Sequence, residues 1–355
     1  MYANDDTRVN LQSLLYSYYI KYDQLLTLSE QAGLGQLLDR KLDIYIDLYD
    51  MLKPIYRRPI YADSSFVIVS SIINLAAHMR GFYWTRYGIQ TRIYLVYGAE
   101  STLNHKQFYE NFGNNKLQDS IDYEKNNFFI NSQLDLMKIL VAYIEGVYFI
   151  KRETNFCMFC YDNMVKNPDI KPLVITKSKY AYQLPAFIDE CILMRPLKQN
   201  SMDYSFNVFN INVLELFFES KNEKTKQILK SINPKLISMI VALNGASCVN
   251  MKAACNITTA AKMIKKTIDN NLILNDYISD PDFLYAKFKD PYKYIDQTSF
   301  KFRFNAFDLV FQHRIYNSTA EARDITWIVD LHDPDTVKYI ASRYFMDNPL
   351  DLNNL

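Results

Sequence analysis

Three carboxylates are the first candidates for residues that could take part in a reaction. Asp43, Asp47 and Asp50 lie within or just after the stretch Leu42-Asp-Ile-Tyr-Ile-Asp47. Carboxylate oxygens are the ligands that Mg²⁺ prefers, so such a group could hold divalent ions for hydrolysis. Asp43 and Asp47 share one face if this stretch is a strand, because side chains alternate along a strand. We expect Asp43 and Asp50 to be solvated, which leaves Asp47 as the candidate ligand.

Thiols are the second candidate group. Cys157 and Cys160 form a Cys-x-x-Cys motif, and Cys248 and Cys255 could complete a four-ligand zinc site. Cysteines three residues apart beside phenylalanines are also typical of the buried face of a helix, and we favour that interpretation. No histidine has a Cys, Ser or carboxylate at a spacing that suggests a nucleophile–base pair; the histidines are His78, His105, His313 and His332.

Lysines accumulate between residues 221 and 266, where nine of them accompany one acidic residue, Glu223. Such a local excess of positive charge can contact nucleic-acid phosphates, although the whole chain carries a formal net charge of only +1. The candidate DNA-binding residues are Lys252, Lys262, Lys265 and Lys266. The alternative is a solvated surface, or a surface for an acidic protein partner.

Composition excludes several classes of protein. With 355 residues, of which 49% are hydrophobic and 15% aromatic, the chain is neither disordered nor fibrous and has room for about two domains. Only 8 residues are glycine, and no glycine-rich nucleotide-binding motif occurs. The longest apolar stretch, residues 65–79, is too short and too polar to cross a membrane, so we expect no membrane contact. The 28 tyrosines, with abundant Lys, Asn and Ile, are typical of an AT-rich microbial or viral genome.

Hydropathy patterns predict the elements that must position these residues. Helices are predicted over residues 7–30, 66–86, 134–148 and 155–165, and strands over residues 42–47, 92–97, 173–176 and 191–194. Residues 211–270 have a wholly helical pattern, whereas Phe300-Lys-Phe-Arg-Phe304 alternates like a strand. Strands that alternate with helices indicate an α/β domain with a parallel sheet.

Four segments in this order resemble the metal-dependent 5′-nucleases, a family that includes flap endonucleases, phage exonucleases and phage ribonuclease H. They are Ile44-Tyr-Ile-Asp47-Leu-Tyr, Ile93-Tyr-Leu-Val-Tyr-Gly98 with Phe108-Tyr109 and Asn115-Lys116, Val174-Ile-Thr-Lys-Ser-Lys-Tyr-Ala-Tyr-Gln-Leu184, and residues 237–264 with Leu243-Asn-Gly245. The resemblance implies an α/β, PIN-like three-layer domain with a central, mostly parallel sheet. A helical helix-three-turn-helix-like module would follow it.

We therefore predict four parts of the chain. They are an N-terminal helical extension (1–40), a PIN-like α/β domain (41–200), a helix-three-turn-helix-like module (201–274) and an aromatic-rich C-terminal extension (275–355). Both extensions are rich in Tyr, Phe and Leu, and aromatic residues are enriched in interfaces. The alternative is that these aromatic residues complete the core of the same chain.

The family binds two divalent metal ions with many carboxylates, and the resemblance implies that most of these are missing here. Asp47 matches the first acidic motif, and Glu153 matches the glutamate of the acidic helix motif. Other residues occupy the remaining acidic positions: Tyr97 or Gly98, Asn155, Phe156, Ser178, Tyr180, Ala246 and Val249. The family's potassium-binding hairpin is replaced by Met251-Lys-Ala-Ala-Cys-Asn256. We predict a pseudo-nuclease without cofactor, in which Asp47 and Glu153 are relics.

The leading hypothesis is a non-catalytic structural component of a tailed-phage virion, in the portal, neck or tail region. It would be synthesised in the host cytoplasm and join a multimeric assembly, contacting other virion proteins through residues 1–40 and 275–355. One alternative is a metal-dependent 5′-nuclease acting on branched DNA, with relocated ligands at Asp47, Glu153, Asp162 and Asp189. Another is a non-enzymatic DNA-binding accessory protein that uses the lysine-rich module.

Overall fold

The structure is a computed structural model that describes residues 41–52, 67–97, 121–142, 144–151, 155–176, 178–196, 206–208, 213–246, 251–269, 280–319 and 326–327. Several predictions lie outside these residues: the helix over 7–30, the whole extension 1–40, the segment 108–116, and Glu153. Among the described residues, no helix is long and apolar enough to cross a membrane.

The strands of the described residues form one sheet with a parallel centre. Their order is β6-β5-β4-β1-β2-β3-β7, in which β5, β4, β1, β2 and β3 are parallel and the two outermost strands are antiparallel. The bounds are β1 (Leu42–Asp47), β2 (Thr91–Tyr97), β3 (Val147–Lys151), β4 (Lys171–Ile175), β5 (Ile192–Pro196), β6 (Phe206–Val208) and β7 (Thr326–Trp327). Every residue of β1 is buried, as expected for the middle strand of a sheet covered on both faces.

Helices cover both faces of this sheet and continue beyond it. Their bounds are α1 (Leu48–Leu52), α2 (Val67–Tyr87), α3 (Ile121–Val141), α4 (Phe156–Lys166), α5 (Leu184–Phe187), α6 (Val213–Phe218), α7 (Glu223–Lys230), α8 (Ile237–Asn244), α9 (Ile257–Asp269), α10 (Pro281–Lys287), α11 (Gln297–Phe307) and α12 (Leu309–Thr319). Short 3-10 turns lie at Lys179–Gln183, Pro234–Leu236 and Pro291–Lys293.

The two faces of the sheet bury different cores. Ile44 and Ile46 point to one face, where they pack in a cluster with residues of α2 and α3. Tyr45 points to the other face and packs with α4, the helices of residues 213–269 and the C-terminal helices. The α/β class, the layered arrangement, the mostly parallel sheet and the helical module after it are thus confirmed.

Two predicted elements were wrong. Residues 134–148 do not form one helix, because α3 ends at Val141 and β3 begins at Val147. Gly146 makes the turn between them with φ of 69°, and its carbonyl accepts a hydrogen bond from the Ile93 amide at 2.8 Å. The apolar spacing simply continues across this turn.

The stretch Phe300–Phe304 is not a strand but part of α11. Asp296 caps this helix by accepting a hydrogen bond from the Ser299 amide at 2.8 Å. Phe300 and Phe304 are buried four residues apart, a spacing that suits a helix, while Phe302 is only partly buried at the rim of the core. The alternation of aromatic and basic residues was therefore misleading, because Phe300 and Phe304 form the buried face of a helix.

The described part of the C-terminal extension completes the core of this same chain. Phe300, Phe304 and Phe307 are among the largest fully buried side chains, and they pack with residues of α4 and α8. For these residues the structure supports the alternative to an interface with other subunits. Phe283, Tyr292 and Tyr294 of the same extension are exposed.

One buried amide side chain, that of Gln183, joins three parts of the fold. Its Nε2 donates to the Phe307 carbonyl at 2.9 Å, and its Oε1 accepts from the Leu309 amide at 2.9 Å. The Ser238 hydroxyl in α8 donates to the same Oε1 at 3.4 Å. Gln183 ends the 3-10 turn after β4, so it ties the sheet to the helical module and to the bend between α11 and α12.

We predict that Gln183→Leu strongly destabilises the protein. Leucine has a similar size but leaves the Phe307 carbonyl and the Leu309 amide buried without a partner, at about 1–3 kcal/mol for each group. Urea unfolding measures the loss. The matched control is Gln297→Leu, because Gln297 is exposed and should change the free energy of unfolding by less than about 0.5 kcal/mol. Equal stability of the two variants would contradict the role of Gln183.

Candidate functional site

The carboxyl ends of the parallel strands form one edge of the sheet, here called the carboxyl edge. A candidate ligand position lies at this edge between β1 and β4. The chain proceeds from β1 to β2 and β3 on one side and then returns to β4 on the other, so the direction of winding switches here. In open α/β sheets, ligands bind outside the carboxyl ends of the strands at such a switch point. Asp47 ends β1 and Thr176 follows β4, so both stand at this position.

Asp47 is buried, with 5% of its surface exposed. The Thr176 hydroxyl donates a hydrogen bond of 2.8 Å to its Oδ2, and the Ser178 amide donates to the Thr176 Oγ1 at 3.0 Å. The carboxylate is thus held in place by a hydroxyl group that belongs to the neighbouring strand. Thr176 was not predicted as a site residue, although its place directly after a parallel strand was the available signal.

The other positions that the resemblance assigns to acids carry neutral or apolar groups. Ser178 caps the 3-10 turn, and its hydroxyl accepts a hydrogen bond from the Tyr180 amide at 3.3 Å. Tyr180 is buried with its ring edge-on to Phe307, at 5.3 Å between centroids. Tyr97 ends β2 and packs against the ring of Tyr49 at 5.9 Å.

The start of α4 is likewise without acids among the described residues. Asn155 caps the helix, its side-chain oxygen accepting from the Cys157 amide at 2.8 Å, and Phe156 is buried in the core. Glu153 lies outside the described residues, so its place relative to Asp47 stays a prediction.

These groups do not fit two divalent metal ions. Each Mg²⁺ takes several oxygen ligands with anionic charge among them, whereas the described carboxyl edge offers the Asp47 carboxylate among hydroxyl and aromatic groups. Within the described ranges, no three His, Cys, Asp or Glu residues are grouped so that they could hold a metal ion.

The described members of the relocated ligand set, Asp47, Asp162 and Asp189, are not grouped so that they could hold a metal ion. Asp162 in α4 accepts hydrogen bonds from Lys166 at 2.7 Å and pairs with His313 in α12 at 3.1 Å. Burial acts to raise the pKa of Asp162, but these two partners lower it below its usual value. Asp189 is exposed and precedes β5, so it lies at the amino edge of the sheet, opposite to Asp47.

The thiols are core residues. Cys157, Cys160 and Cys191 are buried and form no disulfide. Burial raises the pKa of the Cys160 thiol well above its usual value. Nearby Cys157 and Asp47 raise this pKa further. Cys255 is also free and buried, whereas Cys248 lies outside the described residues. A thiol kept protonated by burial is a poor nucleophile and metal ligand, which supports the core interpretation.

The expectation that Asp43 is solvated was wrong. Asp43 has 1% of its surface exposed and forms two hydrogen bonds of 2.7 Å with the guanidinium of Arg92 on β2. Strand pairing places the two residues side by side, in the register Asp43 to Arg92. The Tyr45 hydroxyl also donates to Asp43 at 3.3 Å, and Asn163 in α4 donates to that hydroxyl at 2.7 Å. Asp43 is therefore a structural ion-pair residue.

The helical module is built around a tight hairpin between α8 and α9. Gly245 ends α8 with φ of 78°, and a Cβ added to it would lie 2.3 Å from the Met251 carbonyl oxygen. Ala246 and Met251 exchange backbone hydrogen bonds of 3.0 and 2.9 Å, and the Asn244 side chain donates to the Cys255 carbonyl at 3.0 Å. Val249 of this hairpin lies outside the described residues.

Arg303 of α11 clamps the same hairpin from outside. Its Nη1 donates to the Lys252 carbonyl at 2.7 Å and to the Ala242 carbonyl at 3.4 Å. Burial lowers the pKa of Arg303 from its usual value. Sequence reasoning missed this contact because Arg303 lies in the stretch that was predicted as a strand.

Most of the candidate DNA-binding lysines face solvent. Lys252, Lys262 and Lys266 are exposed, whereas Lys265 is partly buried and forms an ion pair with Asp269 at 2.8 Å. Lys221 and Lys224, before and within the first turn of α7, are exposed as well. We call Lys221, Lys224, Lys252, Lys262 and Lys266 the lysine face.

Two helix N-termini meet beside these lysines. The Thr225 hydroxyl in α7 and the Thr258 hydroxyl in α9 lie 2.8 Å apart. Asn222 caps α7 by accepting from the Thr225 amide, and Asn256 accepts from the Thr259 amide at the start of α9. Helix N-termini favour anionic groups, so their position strengthens the positive potential of this surface.

Two solved structures are similar to this chain at low sequence identity. The flap endonuclease of bacteriophage T5, solved as a pseudo-enzyme–product complex with DNA and metal ions, has 11% identity and a TM-score of 0.47, covering 85% of this chain and 100% of that chain. The catalytic core of Rad2, in complex with a DNA substrate, has 10% identity and a TM-score of 0.42, covering 89% of this chain and 93% of that chain. The similarity concerns the path of the chain and carries no argument about activity.

No protein-family model matches this sequence. No curated protein matches it at a significant level either.

The hairpin yields a prediction with a matched control. Gly245→Ala places a Cβ against backbone atoms of Met251 and Lys252, whereas Gly88→Ala, at φ of 66°, meets nothing within 4 Å. We expect Gly88→Ala to cost only the left-handed conformation, about 1–2 kcal/mol, and Gly245→Ala to cost clearly more. Thermal and urea unfolding measure both changes. Equal losses would contradict the close backbone approach at Gly245.

Proposed function

We propose that this protein is a non-catalytic binding protein of nuclease-like architecture, and that its lysine face contacts nucleic-acid phosphates. The observation that carries the proposal is the state of the carboxyl edge, where the carboxylate of Asp47 is hydrogen-bonded to the neutral hydroxyl of Thr176, which in turn accepts from the Ser178 amide. This arrangement supports a switch-point position at which the described residues do not supply the ligands that metal-dependent hydrolysis needs.

Too little negative charge is the reason why we expect no hydrolysis. Phosphodiester hydrolysis with two metals needs ligands that neutralise both ions and hold the attacking and leaving oxygens in line. Neutral hydroxyl groups contribute no anionic charge, and the Ser178 hydroxyl already serves as a helix cap. Tyr180 is buried against Phe307, so a carboxylate at its position would bury a charge and leave a cavity in the core.

The helical module carries the groups that we expect to bind phosphates. Its lysine face projects exposed ammonium groups, and the first turns of α7 and α9 lie together beside them. Lysine side chains and helix N-termini are the groups that bind phosphate backbones without reading sequence. The hairpin between α8 and α9 is held by Arg303 and by its own backbone pairs, so Lys252 is presented by a fixed backbone.

Our proposal also states where the protein acts. We retain the tailed-phage virion, as a structural component in the portal, neck or tail region, on the composition and the resemblance alone. Contacts with other virion proteins through residues 1–40 and 275–355 remain part of that proposal. In the second of these segments the exposed side chains Phe283, Tyr292 and Tyr294 are available for such contacts.

We predict that the purified full-length protein does not cleave flapped DNA with Mg²⁺ or Mn²⁺, because the residues at the carboxyl edge do not fit two ions. The control is Asp47→Asn, which keeps the size of the side chain and a hydrogen bond to Thr176. Cleavage that survives this substitution comes from a contaminant. Cleavage that is lost with it would contradict the proposal and restore the nuclease alternative.

Binding to duplex DNA at low salt is the second prediction. Lys262→Glu combined with Lys266→Glu should weaken the affinity at least about tenfold and reduce the slope of log affinity against log salt by about 2. The charge-matched control is Lys41→Glu with Lys151→Glu, since both lysines are exposed on the α/β domain. If both pairs weaken binding equally, or neither does, the lysine face is not the contact surface. Fluorescence anisotropy over a salt series gives both quantities.

A further inference from the structure

We infer that the guanidinium of Arg303 is a built-in cation of the hairpin between α8 and α9, and that it binds a nucleic-acid phosphate beside Lys252. It takes the place of the potassium ion that the 5′-nucleases, which the sequence resembles, bind in their hairpin. The inference rests on the proposed function and deepens it, because it names the group that supplies positive charge at the hairpin. The exclusion of a monovalent ion can be tested without nucleic acid.

Two carbonyl groups of the hairpin are directed at a cation that the chain itself supplies. One is the Lys252 carbonyl, which accepts a hydrogen bond of 2.7 Å from Nη1 of Arg303. The other is the Ala242 carbonyl in the last turns of α8, at 3.4 Å from the same nitrogen. Backbone carbonyl oxygens that converge on one point are the groups that hold monovalent cations in proteins. Here they hold a guanidinium.

Neighbouring carbonyls of the hairpin receive protein donors as well. The Leu243 carbonyl accepts from the amides of Ala254 and Cys255, at 3.0 and 3.1 Å. The Cys255 carbonyl accepts from the Asn244 side chain at 3.0 Å. A potassium ion takes several such oxygens and would lie beside the like charge of Arg303. The described part of the hairpin therefore does not fit a monovalent ion.

Arg303 carries its positive charge permanently. Burial lowers the pKa of its guanidinium, and the nearby Asp296 and Cys255 act in the opposite direction. Arginine starts from a pKa so far above neutral pH that it keeps its proton in proteins. The charge at the hairpin is therefore fixed by the chain and does not depend on the salt in solution.

The guanidinium has donors left for a phosphate. Both hydrogen bonds to the hairpin use Nη1, so the N–H groups of Nη2 and Nε are not needed to hold it. Arg303 is partly exposed, which makes these groups accessible from solvent. The planar fork of a guanidinium matches the oxygens of a phosphate, and such charge-assisted bonds are strong. One side chain can thus fix the hairpin and bind the ligand.

The surroundings of the guanidinium suit an approaching phosphate backbone. Lys252, whose carbonyl Arg303 holds, belongs to the lysine face and is exposed. Ala253 and Ala254 follow it and have small side chains, of which the first is exposed and the second partly buried. A phosphate can therefore come close to the hairpin, where Arg303 and Lys252 add to its attraction.

Thermal unfolding of the full-length protein tests the built-in cation. The melting temperature should be the same in potassium chloride and in tetramethylammonium chloride at equal concentration, because no site for a small monovalent ion contributes to stability. The affinity for duplex DNA should likewise be the same in the two salts. Stabilisation by potassium alone, or duplex binding that requires it, would overturn the inference.

The phosphate contact is tested by fluorescence anisotropy with duplex DNA over a salt series. Arg303→Met keeps the length of the side chain and should reduce the slope of log affinity against log salt by about 1. Arg303→Lys keeps the charge and should retain the slope. The matched control is Lys301→Met, because Lys301 is an exposed cation of the same helix that pairs with Asp282. It should leave the slope unchanged.

Urea unfolding of the same variants separates contact from support. If Arg303→Met lowers the free energy of unfolding but leaves the slope unchanged, Arg303 only supports the hairpin and the phosphate contact is rejected. Duplex binding that depends on Lys262 and Lys266 but not on Arg303 would reject the inference and keep the proposed function. A parent protein that binds no duplex would reject the proposed function together with the phosphate contact, while the comparison of melting temperatures still decides whether the hairpin holds an ion.

Discussion

The side-chain amide of Gln183 donates to the carbonyl of Phe307 and accepts from the amide of Leu309 and the hydroxyl of Ser238, with no exposure to solvent. These partners belong to the bend between α11 and α12 and to α8, while Gln183 itself follows β4. Because buried backbone groups must be paired, the sheet, the helical module and the C-terminal helices are constrained to meet at this residue. The cluster of Tyr180, Phe217 and Phe307 packs around the same point. The surface that we propose for binding is therefore part of the same core as the sheet.

This constraint also shapes the carboxyl edge. The 3-10 turn that carries Gln183 begins at Lys179, immediately after Ser178, and the hydroxyl of Thr176 before it holds Asp47. Positions that would carry acids in a metal-dependent nuclease serve here as a cap, a strand end and a core aromatic. At the switch point these side chains contribute hydrogen bonds and packing that stabilise the fold. Charged groups and aromatic rings are exposed on other surfaces, and our proposal for the function concerns those surfaces.

Much of the fold could be predicted from local patterns, since β1 begins and ends where its alternation predicts and α4 begins after its Asn155 cap. The predictions that were wrong concern residues whose surroundings depend on contacts with residues far away in the sequence. Asp43 becomes buried only because strand pairing brings Arg92 to it across 49 residues of sequence. His313 meets Asp162 across 151 residues, which no local spacing reveals. The Gln-Leu pair at Gln183 was part of the resemblance, yet its role depends on residues more than a hundred positions away. Exposure of Tyr292 and burial of Tyr285 likewise follow from packing.

Our proposal predicts that the carboxyl edge binds no pair of divalent metal ions. Titration of the full-length protein with Mn²⁺, followed by electron paramagnetic resonance of the free ion, measures this directly. We expect no tight site, and an identical titration for the parent protein and for Asp47→Asn. Stoichiometric binding of two Mn²⁺ ions that Asp47→Asn abolishes would contradict the account.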